Sequence, residues 1–434
     1  MTRARLDGLY LFLLGSILFL LLSAVLQNDS PAVDFRIRYY PARCLLQHGD
    51  PYREAEVLRI YRAEGADRSA DGAQAAHIAA HYIYLPPAFS FTVPFAMLPW
   101  EPAYRLWMAL TVASLIFASF LAFNLGADDA PVLSGALTGF LLANIQAIII
   151  LGNPAGIVIS LCVVAVWCFL RERFVPAGIL CLALSLALKP QDAGLVWLYF
   201  FLAGGVYRKR SLQTLLAAVA ISLPCVLWVW RVAPHWIEEW RSDALTALNL
   251  GGLADPGLAQ TGYHGPFILV DLQAVFSFFR DDPRIYNSAA YLVCAPLLLV
   301  WAFVTLRSRP SPAKARLALA AIVPLSLLPV YHHLYDAKLL LLTVPACAML
   351  WARGGLAGRL ALLVNAAAFV LTGDLLWSVF YAFITTLHLP AAGLSERMLM
   401  AAQLFPAPLI LLVMTIFYLW VYARRCSATH PQPL

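Results

Sequence analysis

The sequence predicts an all-α polytopic membrane protein: one bundle of about twelve transmembrane helices with two long outer loops. Of the 434 residues, 62% are hydrophobic and only 12% are charged, whereas a soluble domain carries roughly 25% charged residues. At about 20 residues per crossing, we expect residues 1–434 to form a single integral membrane domain. The net charge of +6 is modest, and no basic run alternates with aromatic residues, so we expect no nucleic acid partner.

Hydropathy places the spans at residues 8–27, 103–124, 131–151, 155–171, 174–188, 192–206, 211–231, 288–306, 316–331, 337–352, 357–377 and 403–423. The first span follows Arg3 and Arg5 like a signal peptide, but it is too long and lacks a small-residue cleavage site, so we expect a retained anchor. Residues 84–99 are apolar but contain four prolines, which predicts a re-entrant or interfacial stretch instead of a span.

The distribution of positive charge places the N-terminus on the inner side of the membrane. The short connections on that side then carry the basic residues that the positive-inside rule requires: Arg171, Arg173, Arg208, Lys209, Arg210, Arg307, Arg309, Lys314, Arg316, Arg353, Arg359, Arg424 and Arg425. The acidic connection at 126–131 disobeys the rule. In this orientation the outer loops are 28–102 and 232–287, and we expect Asp34, Gly152–Asn153, Lys189 and residues 331–338 to meet at the outer face.

The first outer loop predicts an interfacial helix whose arginines lie near headgroup phosphates. Its apolar face comprises Phe35, Tyr39, Ala42, Leu45 and Leu46, and its polar face comprises Arg36, Arg43 and Gln47. A Gly-Asp-Pro turn follows at 48–52, and the small polar residues at 62–77 suggest a mobile segment. In the second loop, residues 235–240 and 249–266 suit either a sugar-binding surface or an ordinary irregular loop.

Asp34 is an acid only a few residues beyond a membrane span, where charge is costly unless it is solvated, paired or used. One interpretation is an interfacial ion pair with Arg36 or Arg38. The other is a general base that deprotonates an acceptor hydroxyl, a role that needs a carboxylate fixed within about 3 Å of that hydroxyl in the bound complex. A rigid span on one side and an interfacial helix on the other would mount such a base.

Two further segments carry cations. Lys189 ends an apolar helix, where it either extends its amine to the membrane surface or binds a phosphate oxygen. The segment 329–342 places His332, His333 and Lys338 between two apolar stretches. We expect one of these to donate to a phosphate as charge develops on the leaving group, with Asp336 as the orienting partner.

Neither a metal site nor a disulfide framework is expected. The adjacent histidines lack a second pair at zinc-ligand spacing, and the eight cysteines lie mostly inside apolar segments, with Cys44 the clear exception. Two polar residues keep alternative interpretations. Asn153 either binds a sugar or phosphate or simply closes a tight turn, and Tyr84 either stacks on a sugar or anchors the chain in the aromatic belt.

Five segments in order, "DFRIRYYPARCLLQHGDPY", "YLPP", "GNPAGI", "LALSLALKP" and "YHHLYDAKLLL", resemble glycosyltransferase family 87, the polyprenol-phosphate-mannose-dependent mannosyltransferases of the GT-C superfamily. The resemblance covers roughly residues 30–350. It matches Asp34 to the catalytic base, Tyr39 or Tyr40 with Ala42 to the rest of that motif, Lys189–Pro190 to a lysine–proline pair, and His332 or His333 with Tyr335–Asp336 to a further element. A turn written Gly-Gln-x-Asn in relatives reads Leu151-Gly152-Asn153 here.

The resemblance implies a GT-C-type bundle that transfers a sugar, mannose above others, from a polyprenyl phosphate to an acceptor hydroxyl with inversion. It implies a multi-pass protein of the bacterial inner membrane, a periplasmic active site, a glycolipid or polysaccharide acceptor, surrounding membrane lipids, and no metal or other cofactor. The donor phosphate would be bound by Lys189, His332, His333 and Lys338, and the substrates by Tyr39, Tyr40, Tyr84, Asn153, Tyr335 and Asp336. Two alternatives stay open: a GT-C transferase using arabinose or glucose, and a lipid or sugar transporter.

Overall fold

The computed structural model describes residues 2–27, 30, 32–64, 82–248, 255–256, 269–374, 398 and 401–427. Its helices are α1 Arg3–Leu26, α2 Val33–Leu46, α3 Glu54–Ala63, α4 Phe89–Ala96, α5 Trp100–Gly126, α6 Pro131–Ala143, α7 Gln146–Leu151, α8 Ala155–Arg171, α9 Val175–Leu188, α10 Pro190–Ala203, α11 Gly205–Val232, α12 Trp236–Leu248, α13 Leu272–Ser277, α14 Pro283–Arg307, α15 Pro312–Ser326, α16 Val344–Ala352, α17 Gly355–Leu371 and α18 Pro406–Ser427. Two 3₁₀ segments, Pro86–Ala88 and Asp336–Thr343, complete these elements. Within those ranges no strand forms, so the described fold is all-α.

Six helical segments in the described ranges are long and apolar enough to cross a membrane. They are Arg3–Leu26, Trp100–Gly126, Pro131–Leu151, Gly205–Val232, Pro283–Arg307 and Pro406–Cys426. Three shorter apolar helices, α8, α9 and α17, accompany them. The chain is therefore a multi-pass membrane protein, and the count of about twelve spans stays a prediction.

Several predicted spans are interrupted. The stretch 131–151 breaks at Asn144, whose side-chain amide donates to the carbonyl of Phe140 at 2.9 Å. The predicted span 337–352 begins as a 3₁₀ helix before it continues as α16. Residues 84–99 form the 3₁₀ turn Pro86–Ala88 and the eight-residue helix α4 instead of a span, because their prolines remove helix-stabilising N–H groups.

The acidic connection at 126–131 is neutralised by arginines. Asp128 lies 2.7 Å from Arg171 and 3.9 Å from Arg5, and Asp129 pairs with Arg316. These contacts gather the starts of α1 and α15 and the ends of α5 and α8 at one end of the bundle. The exception to the positive-inside rule is therefore an acidic loop surrounded by basic partners.

Helix α1 packs closely on α6 through small residues. A Cβ atom at Gly15 would lie 2.4 Å from the Cα atom of Gly139, so the two backbones meet where neither residue has a side chain, as in other membrane helix pairs. The end of α1 is thereby fixed against the bundle, and α2 follows from it.

The predicted interfacial helix exists as α2, but it lies deeper inside the protein than expected. Phe35, Tyr39, Ala42, Cys44 and Leu45 are all buried, so Cys44 is not an exposed exception; all eight cysteine thiols are free.

The arginines of α2 have protein partners in place of the headgroup phosphates that the sequence predicts. Arg36 donates to the hydroxyl of Tyr61, and Arg43 donates to Glu64 and to the carbonyl of Ala96. Most of the segment 62–77 and of 249–266 lies outside the described residues.

The two outer loops contact each other. The indole of Trp240 on α12 donates to the carbonyl of Ile83 at 2.9 Å, and Arg53 lies 3.5 Å from Glu239. Helix α12 therefore joins the first outer loop next to Tyr84.

Candidate functional site

The start of α2 is held against the turn that follows α7. The Ser30 hydroxyl and the Ala32 amide both donate to the carbonyl of Ile150, at 2.6 and 3.2 Å. Gly152 takes a left-handed conformation with φ of 63°, and its carbonyl accepts from the indole of Trp107 at 2.9 Å. This local structure brings Asn153 beside Asp34, 119 residues away in sequence.

Asn153 holds the Asp34 carboxylate. Its amide nitrogen donates to Asp34 Oδ2 at 2.5 Å, and its carbonyl oxygen accepts from the backbone N–H of Ala155 at 2.8 Å. Since both polar groups are engaged within the protein, the geometry gives Asn153 a role in positioning Asp34 and favours the turn-closing alternative.

Asp34 lies in an environment suited to a base. Burial raises the pKa of its carboxyl above the usual range, while the hydrogen bond from Asn153 and the charges of Arg38 and Lys189 oppose this rise. A carboxylate with a raised pKa is a stronger proton acceptor. The hydrogen-bond partner of Asp34 is thus the Asn153 amide, while the charge of Arg38, one of the two arginines in the ion-pair interpretation, still acts on the carboxyl group.

Lys189 lies between α9 and α10 at the centre of a buried ionic cluster. Its ammonium is 3.1 Å from Asp192 Oδ2 and pairs with Asp336 Oδ1. Burial disfavours the ammonium form, but the two carboxylates together hold the pKa of Lys189 above its usual value. Two internal carboxylates thus balance this charge, which weakens the prediction that Lys189 binds the donor phosphate.

His332 completes the cluster. Its Nε2 atom lies 3.3 Å from Asp192 Oδ1, and its Nδ1 atom lies 2.9 Å from the carbonyl oxygen of Val330. Since a carbonyl oxygen carries no hydrogen, Nδ1 is the donor in its contact with Val330, and Nε2 faces the Asp192 carboxylate. Burial lowers the pKa of His332, but the hydrogen bond to Asp192 and the nearby carboxylates raise it above its ordinary value overall. His332 is therefore engaged internally instead of facing a phosphate.

The segment that carries the histidines is held by the end of the second outer loop. The amides of Val270 and Leu272 donate to the carbonyls of His332 and Leu328, at 3.0 and 2.9 Å. Between them, Asp271 caps α13 by accepting from Ala274 and also accepts from the His332 amide. Residues 269–272 thus fix the register of the whole 328–336 segment.

His333 and Tyr335 form a stacked pair beside the cluster. Their rings lie 4.8 Å apart with an interplanar angle of 18°, and His333 is hydrogen-bonded to the Tyr331 hydroxyl. Asp336 accepts from the His333 amide at 3.1 Å, and Lys189 Nζ lies 5.5 Å from the Tyr335 ring. These contacts place both residues directly beside the ionic cluster.

Three predicted site residues lie elsewhere. Lys338 donates to the carbonyl of Thr372 at 2.5 Å and lies 3.7 Å from Asp374, so it caps the end of α17 in place of a phosphate contact. Tyr39 and Tyr40 are buried among aromatic rings. The Tyr39 hydroxyl donates to the carbonyl of Leu98, and the ring of Tyr40 stacks on Trp100. Both tyrosines pack α2 against its neighbours, which corrects their predicted substrate contacts.

A cavity of about 660 Å³ adjoins the cluster. Most of its wall is apolar and comes from 83–87, 186–191 and α11, including Tyr84, Leu188, Pro190 and Ala218. Leu188 and Pro190 flank Lys189 directly in the chain. Tyr84 lies between the cavity and α2, with the Arg38 guanidinium 3.6 Å from its ring centroid.

Asp192, Arg38 and Asp271 are site residues that sequence analysis did not assign. Asp192 follows Lys189 at a spacing of three, which is a contact distance on a helix. Arg38 follows Asp34 at a spacing of four and falls on the apolar face of α2. An arginine on an apolar face is a sequence signal for a buried charge. Nothing local distinguishes Asp271, because its role depends on a partner 61 residues away.

The donor set Asp192, His332 and Asp336 has ligand atoms that all lie within 4.8 Å of one another. Carboxylates and imidazole are suitable ligands for a divalent ion. However, the Lys189 ammonium already lies among these carboxylates, and a metal ion would have to displace it. The residues present therefore fit an internal ion-pair cluster better than a metal site.

A family model described as glycosyltransferase family 87 matches residues 82–328. This range is more than half of the chain; it includes Tyr84, Asn153 and Lys189, and it excludes Asp34 and the segment 331–338. Comparisons with curated proteins and with solved structures gave no match. The family match, together with the apolar helices, identifies the chain as a member of glycosyltransferase family 87 and hence as a membrane glycosyltransferase.

Proposed function

We propose that this protein transfers a sugar from a polyprenyl-phosphate-linked donor to an acceptor hydroxyl at the outer face of a bacterial inner membrane. Mannose is the first candidate sugar, as the family resemblance implies. The acceptor is a glycolipid or polysaccharide, about twelve helices cross the bilayer, and the reaction needs no metal.

Asp34 is the general base in this proposal. Its carboxylate takes the proton of the acceptor hydroxyl while that oxygen forms a bond to C1 of the sugar. The bond between C1 and the phosphate oxygen breaks, its electron pair stays on that oxygen, and polyprenyl phosphate leaves. Since attack and departure are in line, the configuration at C1 inverts.

The observation that carries the proposal is the arrangement of Asp34, Tyr84 and the cavity. Asp34 is a half-buried carboxylate held by Asn153, and Arg38 bridges from its helix to Tyr84 on the wall of an apolar cavity. An apolar groove suits the isoprenoid chain of a lipid donor, while the base acts where that groove ends. His333 and Tyr335 supply stacking surfaces for a sugar ring nearby.

Alternative lipid-linked sugars, arabinose and glucose, fit the same arrangement. A transporter is disfavoured because its polar groups would line a path through the bundle, whereas here one buried cluster is linked by direct contacts among Lys189, Asp192, His332 and Asp336.

The test uses the purified full-length protein with radiolabelled polyprenyl-phosphate mannose, the arabinose and glucose analogues, and candidate acceptors. We expect one donor to give a glycosylated product whose anomeric configuration is opposite to that of the donor. Lipid or sugar flux across reconstituted vesicles without any transfer would support the transporter instead.

A further inference from the structure

Arg38 is a fully buried cation without a hydrogen-bond acceptor among the residues that the structure describes. Its exposed fraction is 0%, and its Nε, Nη1 and Nη2 atoms are all unpaired. Asp34, one helical turn earlier on the same helix, is hydrogen-bonded to Asn153 instead. Buried donors without an acceptor are unfavourable, so this side chain indicates a hydrogen-bond acceptor that binds from outside the chain.

The other buried lysines and arginines in the described ranges all have acceptors. Lys189 lies between Asp192 and Asp336. Lys338 donates to the carbonyl of Thr372, and Arg210 donates to the carbonyl of Phe169 at 3.0 Å. Of the four buried lysines and arginines in the described ranges, Arg38 is therefore the one whose donors have no acceptor.

Arg38 lies against Tyr84, a residue of the cavity wall. The Tyr84 ring covers one face of the guanidinium, with 3.6 Å from Cζ to the ring centroid, and Tyr84 also lines the cavity. Stacking on the face leaves the in-plane N–H groups of the guanidinium for hydrogen bonds. That planar fork matches two oxygens of a phosphate.

We infer that Arg38, and not Lys189, binds the phosphate of the lipid-linked donor. The inference rests on the proposed function and assigns one residue within it. The isoprenoid chain lies in the cavity, the phosphate meets Arg38 beside Tyr84, and the sugar extends toward Asp34. Negative charge on the phosphate increases as the bond to C1 breaks, so Arg38 stabilises the departing group more strongly than the bound donor.

The test compares wild type with Arg38→Met in detergent, using a polyprenyl monophosphate as the probe. We expect Arg38→Met to fold with a Tm close to that of wild type, because the guanidinium has no hydrogen-bond acceptor to lose. Its affinity for the polyprenyl monophosphate should fall at least about tenfold, the usual loss for a charge-assisted hydrogen bond. The donor KM should rise and kcat should fall, while the acceptor KM stays unchanged.

Two controls separate this role from general damage. Polyprenol without phosphate should bind wild type and Arg38→Met equally. Arg36→Met, which alters a neighbouring arginine that contacts Tyr61 and Trp100, should keep wild-type probe affinity. If Arg38→Met does not fold, Arg38→Lys keeps the charge without the planar fork, and we expect its donor KM to rise severalfold.

The outcomes distinguish the two levels of the proposal. If wild type neither binds the polyprenyl monophosphate nor transfers sugar, the proposed function fails. If wild type does both and Arg38→Met, or Arg38→Lys in its place, matches it within about twofold, only the role of Arg38 is overturned. A rise confined to the acceptor KM overturns it as well, because the anion would then belong to the acceptor.

Discussion

Replacing Lys189 by methionine tests whether this lysine is part of an internal cluster or a ligand for the donor. The substitution keeps the length of the side chain but leaves Asp192 and Asp336, which are 1% and 3% exposed, without their shared ammonium. Removing one partner of a buried ion pair costs about 3–5 kcal/mol. The unfolding entropy is about 2.1 cal/mol/K per residue, which gives about 0.9 kcal/mol/K for the 434 residues. Dividing the loss of free energy by this entropy predicts that the Tm falls by about 3–5 °C.

The assay is thermal unfolding of the purified protein in one detergent, with donor kinetics measured on the same samples. Lys209→Met, an exposed lysine at the start of α11, is the matched control and should leave the Tm unchanged. Adding Asp192→Asn to Lys189→Met should recover part of the loss, because one unpaired carboxylate is neutralised. If Lys189→Met keeps the wild-type Tm while its donor KM rises tenfold, Lys189 binds substrate and our reasoning about the cluster is refuted.

Two further predictions concern Asp34 and the cavity. Burial raises the pKa of Asp34 and the Asn153 hydrogen bond lowers it, and the base works only when deprotonated. In Asn153→Ala the acidic limb of the pH profile of kcat/KM should therefore move to higher pH, with the largest loss of kcat/KM on the acidic side of the profile; an unmoved limb would contradict this. Ala218→Trp, on the wall of the cavity, should raise the KM of long-chain donors while sparing donors with one or two isoprene units. Equal changes in the KM of long-chain and short-chain donors would show that the lipid chain does not bind in the cavity.

The sequence predicted the segments of the site better than the roles of individual residues. The positive-inside rule placed Asp34, Asn153, Lys189 and Asp336 at one end of their helices, and the structure joins them in two pairs, Asp34 with Asn153 and Lys189 with Asp336. Such pairs join residues more than 100 positions apart. Neither helical periodicity nor hydropathy carries information about such a distant partner. The sequence therefore predicts a donor phosphate, and not Asp336, as the partner of Lys189.

Arg38 illustrates the other failure. The sequence predicts that the polar face of α2 places Arg36 and Arg43 near lipid headgroups. In the structure, aromatic and acidic side chains of the protein take these two arginines, while Arg38 lies on the apolar face and is completely buried. Helical spacing alone places Arg38 among hydrophobic positions. Tertiary packing decides whether a hydrogen-bond acceptor lies next to it there.

The continuity of the apolar helices was also beyond the sequence. Apolar stretches of similar composition become a long helix at Trp100–Gly126, a broken helix around Asn144 and a 3₁₀ segment at Asp336–Thr343. Hydropathy measures the apolar content of each stretch, whereas these breaks arise from single polar side chains and from packing around the ionic cluster.

The most direct measurement of the central claim is the rate of sugar transfer by Asp34→Asn, with Asp128→Asn at the opposite end of the bundle as the control. Loss of a general base costs about 10²–10⁴-fold in rate, so Asp34→Asn should lose at least a hundredfold in kcat at a wild-type Tm, while Asp128→Asn transfers normally. Transfer by Asp34→Asn within a few fold of wild type would contradict the account, because another group would then have to take the proton.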